Sequence, residues 1–165
     1  MIHIRKGTTA DIDSIMACYE TAIKFMRASG NHSQWINGYP SRELVAQDVA
    51  NGNSYVGVDS DGEIAMAFAF IIGDDPTYSV IDDGQWLNDH PYGTIHRLGS
   101  NGKHHGILKI CVDFCSSKID NIRLDTHADN QIMQHTAQKL GFKRCGKIYC
   151  IDESPRIAFQ KCQKS

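Results

Sequence analysis

No apolar run in this 165-residue sequence approaches the length of a membrane-spanning helix, which needs roughly 20 residues. The longest, residues 64–72, suits a buried strand. The opening Met1-Ile2-His3-Ile4-Arg5-Lys6 lacks the apolar stretch of a secretory signal, and the expected setting is the cytoplasm, in a microbe. The formal net charge is only −2, so no general basic field is available to hold nucleic acid. The six cysteines lack the spacing of a framework or a zinc site. Cys18, Cys111 and Cys115 fall within apolar helical patterns, Cys145 and Cys150 flank a strand, and Cys162 is near the tail. Reduced thiols and no structural metal are the expectation. A nucleotide-hydrolase loop is also missing. Gly102-Lys103 is followed by His104 where Ser or Thr is required, and Arg97 stands where the first loop glycine belongs.

What is present has the balance of a globular protein, with 41% hydrophobic and 22% charged residues, and the length of one domain over 1–165. Residues 2–5 alternate as a first strand. Thr8-x-x-Asp11 reads as a capping box. Beyond it Ile12, Ile15, Met16, Tyr19, Ile23 and Met26 recur at helical spacing, up to Gly30. A polar loop, 31–40, carries His32, Trp35 and Tyr39, and Ser41 caps a short second helix. Residues 54–58 and 63–72 form a hairpin about Asp59-Ser60-Asp61-Gly62. A long connection, 73–92, holds Asp82, Asp83, Trp86, Asp89 and His90. Strands at 94–98 and 121–126 each lead into a helix, at 105–117 and 130–140, and a hairpin over 145–151 and 156–161 closes the chain. Three consecutive strands followed by alternation predict an α+β fold with a mixed sheet and helices on its faces.

The most informative segment is Ile95-His96-Arg97-Leu98-Gly99-Ser100-Asn101-Gly102-Lys103-His104-His105-Gly106-Ile107. A short strand reaches glycines that do not easily continue it, and a helix follows. Such a turn offers free backbone N–H groups at a positive dipole end, suited to a phosphate or pyrophosphate. An ordinary strand-to-helix connection accounts for the same residues equally well.

The order of elements resembles that of the GNAT family of acyl-CoA-dependent N-acetyltransferases, over essentially the whole chain. Two segments carry the resemblance. Residues from Lys103 to Leu108 match the family's (Q/R)-x-x-G-x-(G/A) pyrophosphate loop, with Lys103 for Gln or Arg and Leu108 for the final Gly or Ala. Ile122-Arg123-Leu124-Asp125-Thr126-His127-x-x-Asn130-x-x-Met133, running to Lys139-Leu140-Gly141-Phe142, is similar to the family's strand, Asn-opened helix and closing K-L-G-F. The resemblance implies a mostly antiparallel sheet of about seven strands flanked by four helices, with the fourth and fifth strands splayed.

It further implies acetyl-CoA as co-substrate, paired to backbone groups of His96, Arg97 and Leu98 and gripped by Lys103, His104, His105, Gly106, Ile107 and Leu108, with Asn130 as cap and contact. Leu108 either crowds the cofactor's arm or points into the core. An N–H of the splayed strand would stabilise the oxyanion. The implied reaction is attack of a small-molecule amine or an amino-terminal group on the thioester, which needs a base. His96 is the first candidate, with Asp82, Asp83 and His127 behind it; packing against a neighbouring layer explains a strand histidine as well. The family's acid, a Tyr seven residues after the Asn, is replaced by Ala137, and Tyr149 is the substitute considered. Trp35, Tyr39, Asp82, Trp86, Tyr92 and His127 are the candidate substrate contacts. The competing reading is a non-catalytic acyl-CoA-binding module, to which Leu108 and Ala137 lend weight. Neither nucleic acid nor membrane is an expected partner, and the chain is a monomer or a homodimer joined at a strand edge.

Overall fold

A computed structural model describes residues 1–162. The elements follow in the order β1 (His3–Lys6), α1 (Ile12–Ala28), α2 (Arg42–Ala50), β2 (Ser54–Val58), β3 (Ile64–Ile72), β4 (Gly93–Ser100), α3 (Ile107–Ser116), β5 (Asn121–Thr126), α4 (Gln131–Lys139), β6 (Lys143–Tyr149) and β7 (Pro155–Cys162). Short 3-10 turns occupy Thr9–Asp11 and Pro76–Tyr78. This is the predicted order. No helix among the described residues is long and apolar enough to cross a membrane.

The seven strands form one sheet ordered β1-β2-β3-β4-β5-β7-β6. Every neighbouring pair is antiparallel except β4–β5, which is parallel. Alternation along β3 separates two cores. Met66, Phe68 and Phe70 face one way and join Leu108, Cys111, Val112, Cys115 and Ala137 from α3 and α4. Ala67 faces the other way, with Ile12, Ile15, Cys18 and Tyr19 of α1 and Val45 of α2. On that second face, beyond β4, a third cluster places Tyr78 and Tyr92 of the long connection over Ile148 and Ala158.

Local signals explain the helix starts. Asp11 accepts from the Thr8 backbone N–H at 2.8 Å and takes a bidentate pair from Arg5 at 2.7 and 3.0 Å. The Arg5 hydrogen bonds outweigh the effect of burial and hold the Asp11 carboxyl down at about 2. Ser41 Oγ accepts from Leu44 N at 3.1 Å, and Asn130 Oδ1 from Met133 N at 3.1 Å.

Three boundaries differ from the sequence expectation. β4 does not stop at Leu98: Gly99 and Ser100 pair with Ala67 and Met66. A side chain at Gly99 would stand 2.8 Å from Tyr19 Cδ1, so this glycine admits α1 against the strand and does not end it. α3 begins at Ile107, leaving His104 and His105 in the loop. β6 runs over Lys143–Tyr149, two residues earlier than expected, so Cys150 and Ile151 belong to the turn.

Candidate active site

β4 has two unlike edges. Toward β3 it is paired from Gly93 to Ser100. Toward β5 the ladder consists of Gly93↔Ile122 and Thr94↔Arg123, and beyond Thr94 the strands part. The open stretch carries a backbone irregularity. Between the pairs Ala69↔His96 and Ala67↔Gly99, Arg97 and Leu98 oppose Phe68 alone, a β-bulge, and Arg97 takes a φ of 53°. A left-handed arginine is costly unless its surroundings hold it. Here its guanidinium binds Asp48 of α2 through Nε at 3.0 Å and Nη2 at 2.8 Å, both side chains being 9% exposed, and Nη1 donates to Tyr39 Oη at 3.2 Å.

The parting strands open a cavity of about 670 Å³. Its β4 wall is Ile95, His96, Arg97 and Leu98, and its β5 wall is Leu124, Asp125 and Thr126. Leu108 and Met133 line it from the α3/α4 layer, Trp35 and Tyr39 from the 31–40 loop, and Asp152 and Arg156 from the closing hairpin. Leu108, 6% exposed, packs in the core and forms part of the wall without filling the gap.

The polar side of this space centres on His96. Its Nε2 lies 2.9 Å from Asp75 Oδ2. Burial raises the Asp75 carboxyl, but hydrogen bonds from His96 and Thr77 outweigh burial and hold it at about 2. An ionised carboxylate only accepts, so His96 must donate through Nε2, and neutral imidazole then carries its lone pair on Nδ1. Asp75 is itself fixed: its N–H donates to Tyr92 Oη at 2.7 Å, and its Oδ1 accepts from Thr77 N at 2.8 Å. Tyr78 Oη donates to Asp125 Oδ2 at 2.7 Å. Burial pushes the Asp125 carboxyl above its ordinary range, against the pull of that hydroxyl and of His96 and Arg156.

On the side of α3, Gly106 takes a φ of 71° as N-cap, a position glycine fills without strain. Helix geometry leaves the N–H groups of Ile107 and Leu108 without intrahelical acceptors. Lys103 and His104 turn aside, to Glu63 at 3.3 Å and Asp59 at 3.5 Å. Gln34 Oε1 accepts from Asn130 Nδ2 at 3.2 Å, joining the 31–40 loop to the start of α4.

Of the sequence candidates, His96, Arg97, Leu98, Leu108, Asn130, Trp35 and Tyr39 meet around one space. Lys103, His104, His105, Gly106 and Ile107 form the loop and helix start outside its lining. The remaining candidates do not line the cavity. Asp82 bridges to Lys147 backbone to backbone, and its carboxylate pairs with the Tyr149 hydroxyl, because β6 is the outer strand of the sheet and presents both there. Trp86 and Tyr92 stack on the buried Arg123 guanidinium, its carbon 4.0 and 3.9 Å from their ring centres, and so back the site instead of lining it. His127 turns to Asp129, accepting its N–H at 3.0 Å.

Sequence reading passed over Asp75, Tyr78, Asp48 and Arg156. Two of them left a trace. Asp75-Pro76 is the start signature of a capped turn, and Asp48 falls on the same helical stripe as Val45, where a charge implies a buried partner. The spacing of Tyr78 and Arg156 from His96 leaves no such trace.

Comparison with known proteins agrees with this geometry. No protein-family model and no curated protein matches the sequence. Solved structures do. An acetyltransferase of the GNAT family from Streptococcus agalactiae is 33% identical, with 99% of this chain and 96% of that one covered at a TM-score of 0.90. A GNAT-family acetyltransferase from Listeria monocytogenes is 18% identical over 98% of this chain and 94% of that one, at a TM-score of 0.72. The NatC complex bound to Gag peptide and CoA includes a chain that is 14% identical over 99% of each chain, at a TM-score of 0.59. A seven-stranded mixed sheet opened between two parallel neighbours defines an acyltransferase architecture. The chain belongs to the GNAT family of acetyltransferases.

Proposed function

We propose that this chain is an acetyl-CoA-dependent N-acetyltransferase that acts on a primary amine of a small molecule or an amino-terminal group. The observation that carries the reading is the opening of β4 from β5 beyond Thr94, with His96 on its wall and the start of α3 beyond it. The NatC complex, which includes a chain of like fold and is bound to CoA, supports the choice of co-substrate.

The residues present suit acetyl-CoA, whose bound thioester would supply an activated acetyl group. Unpaired backbone of Arg97 and Leu98 along the open edge would take an extended amide-bearing arm as an added strand. The N–H groups at the start of α3 would receive the diphosphate. Leu98, Leu108 and Met133 give this half an apolar wall. His96 takes the proton the amine loses as its nitrogen bonds to the acetyl carbon, and Nδ1 is the atom that accepts it. Asp75 holds the imidazole in that tautomer. The departing thiol is acidic enough to leave as thiolate, consistent with Ala137 in the acid's place. His96, Arg97, Leu98, Leu108 and Asn130 are thus proposed as cofactor contacts, and Trp35 and Tyr39 as acceptor contacts.

The test is amine-dependent release of free thiol from acetyl-CoA, with CoA affinity measured alongside by calorimetry. Turnover with an amine is the expected result. CoA binding with no turnover across a broad amine panel would support the acyl-CoA-binding module instead.

A further inference from the structure

The cavity is lined by two arginines, and they are used very differently. Arg97 is consumed by Asp48 and Tyr39. Arg156, second residue of β7, makes its hydrogen bonds through Nη1 alone, to Ser154 Oγ at 3.2 Å and the Pro155 carbonyl at 2.8 Å. Both acceptors are neutral and belong to its own turn. Among the described residues no carboxylate approaches Arg156 within ion-pair distance.

The acids of the same cavity take their hydrogen bonds from other groups. Asp75 is held by His96 and Thr77, Asp125 by the Tyr78 hydroxyl, and Asp152 accepts from Ser154 N at 3.0 Å. The wall therefore carries one guanidinium that makes no close ion pair among the described residues, its charge reaching Asp125 and Asp152 only at longer range. It is anchored through one nitrogen, with Nη2 and Nε left over. A guanidinium so held presents a planar pair of donors, the geometry that a carboxylate fills.

Its placement relative to His96 follows from the sheet. Asp125 stands opposite Ala158, and Arg156 lies two residues from Ala158, hence on the same face. His96 lies two residues from Thr94, which pairs with Arg123, itself two residues from Asp125, so His96 shares that face across the gap. Asp125 feels the charge of both His96 and Arg156. The imidazole and the guanidinium thus share a face and both act on one carboxylate.

We propose that Arg156 binds a carboxylate of the acceptor, and that the acceptor is a small molecule bearing both a primary amine and a carboxylate, such as a free amino acid. This rests on the N-acetyltransferase reading and narrows it: the amine is presented to His96 while the acid end is held by β7. A peptide amino terminus, whose α-carboxyl is tied up as an amide, lacks the group that Arg156 recognises.

Calorimetric titration of the CoA-loaded protein with each proteinogenic amino acid and its carboxamide tests this, with thiol release from acetyl-CoA assayed on the same pairs. At least one amino acid should bind more tightly than its amide by about tenfold or more, the range of a hydrogen bond to a charged group. Arg156→Gln should bring that ratio to about one and leave CoA affinity unaltered, while Arg156→Lys, a point charge without the fork, should retain part of it. Equal binding and reaction of acids and amides would overturn the carboxylate site and leave acetyl transfer standing. Binding that depends on carboxylate and on Arg156, without thiol release, would uphold the site while acetyl transfer failed. An acid preference that survives Arg156→Gln, or no binding by any amino acid, would overturn the proposal.

Discussion

The two edges of β4 present a controlled comparison within one strand. Its β3 edge is paired at Gly93, Thr94, Ile95, His96, Gly99 and Ser100; its β5 edge is paired at Gly93 and Thr94 only. The same strand is therefore closed along one edge and open along most of the other. What differs is the partner, not the strand. An open edge inside a sheet leaves backbone donors and acceptors unsatisfied, and a fold tolerates this where a ligand or water can supply them. The bulge at Arg97 lies on the open stretch of β4, and beyond it the ladder to β3 resumes at Gly99.

The largest expected effect probes the open edge. His96→Ala should lower kcat/KM by about 10²- to 10⁴-fold, the usual contribution of a positioned base. CoA affinity should hold, because the backbone of β4 is untouched. Steady-state kinetics with calorimetry checks this, and an undiminished rate would remove His96 from the chemistry. The bulge comes next. Arg97→Ala strands Asp48, 9% exposed, without its partner and should cost about 3 kcal/mol of stability by denaturant unfolding. If the bulge is what opens the cleft, CoA affinity should fall as well; a destabilised protein with full CoA affinity would separate the two. The smallest effect is on the wall. Leu108→Ala removes a core side chain that also borders the cavity and should cost about 2 kcal/mol, the low end for such truncations. It should not weaken CoA binding, since the N–H of residue 108 remains. Markedly tighter CoA binding by this variant would show that the leucine crowds the cleft.

The buried acid at the start of α1 adds a pH test of the fold as a whole. Asp11, held at about 2 in the folded state, binds fewer protons than in the unfolded chain below its ordinary 3.8. Stability should therefore be complete above that range and fall as pH drops through it toward 2. Asp11→Asn should flatten this slope in acid-titrated thermal melts.

The regular elements were legible because their signals are local. Thr8-x-x-Asp11, Ser41 and Asn130 each cap what they precede, and the gap after the fourth strand was implied by the resemblance of two short segments. Gly99 misled because a glycine that ends a strand and one that admits a tyrosine ring look alike in one dimension. The site was legible only in part, for a related reason. The stretch 73–92 is rich in acids and aromatics, and sequence order alone singles out Asp82 and Trp86 and passes over Asp75 and Tyr78. The register of the sheet separates them: Asp82 is tied to Lys147 on the outer strand, while Asp75 reaches His96.

The sequence by itself determined the elements, their order and the apolar faces that stack them, since capping and periodicity act within a few residues. Only the tertiary structure decided which acid orients His96, that Arg97 is buried against Asp48, and that Arg156 lines the cavity with no close ion pair among the described residues. Those pairings join residues tens of positions apart, and charge neutralisation across such distances depends on where the folded sheet brings the side chains.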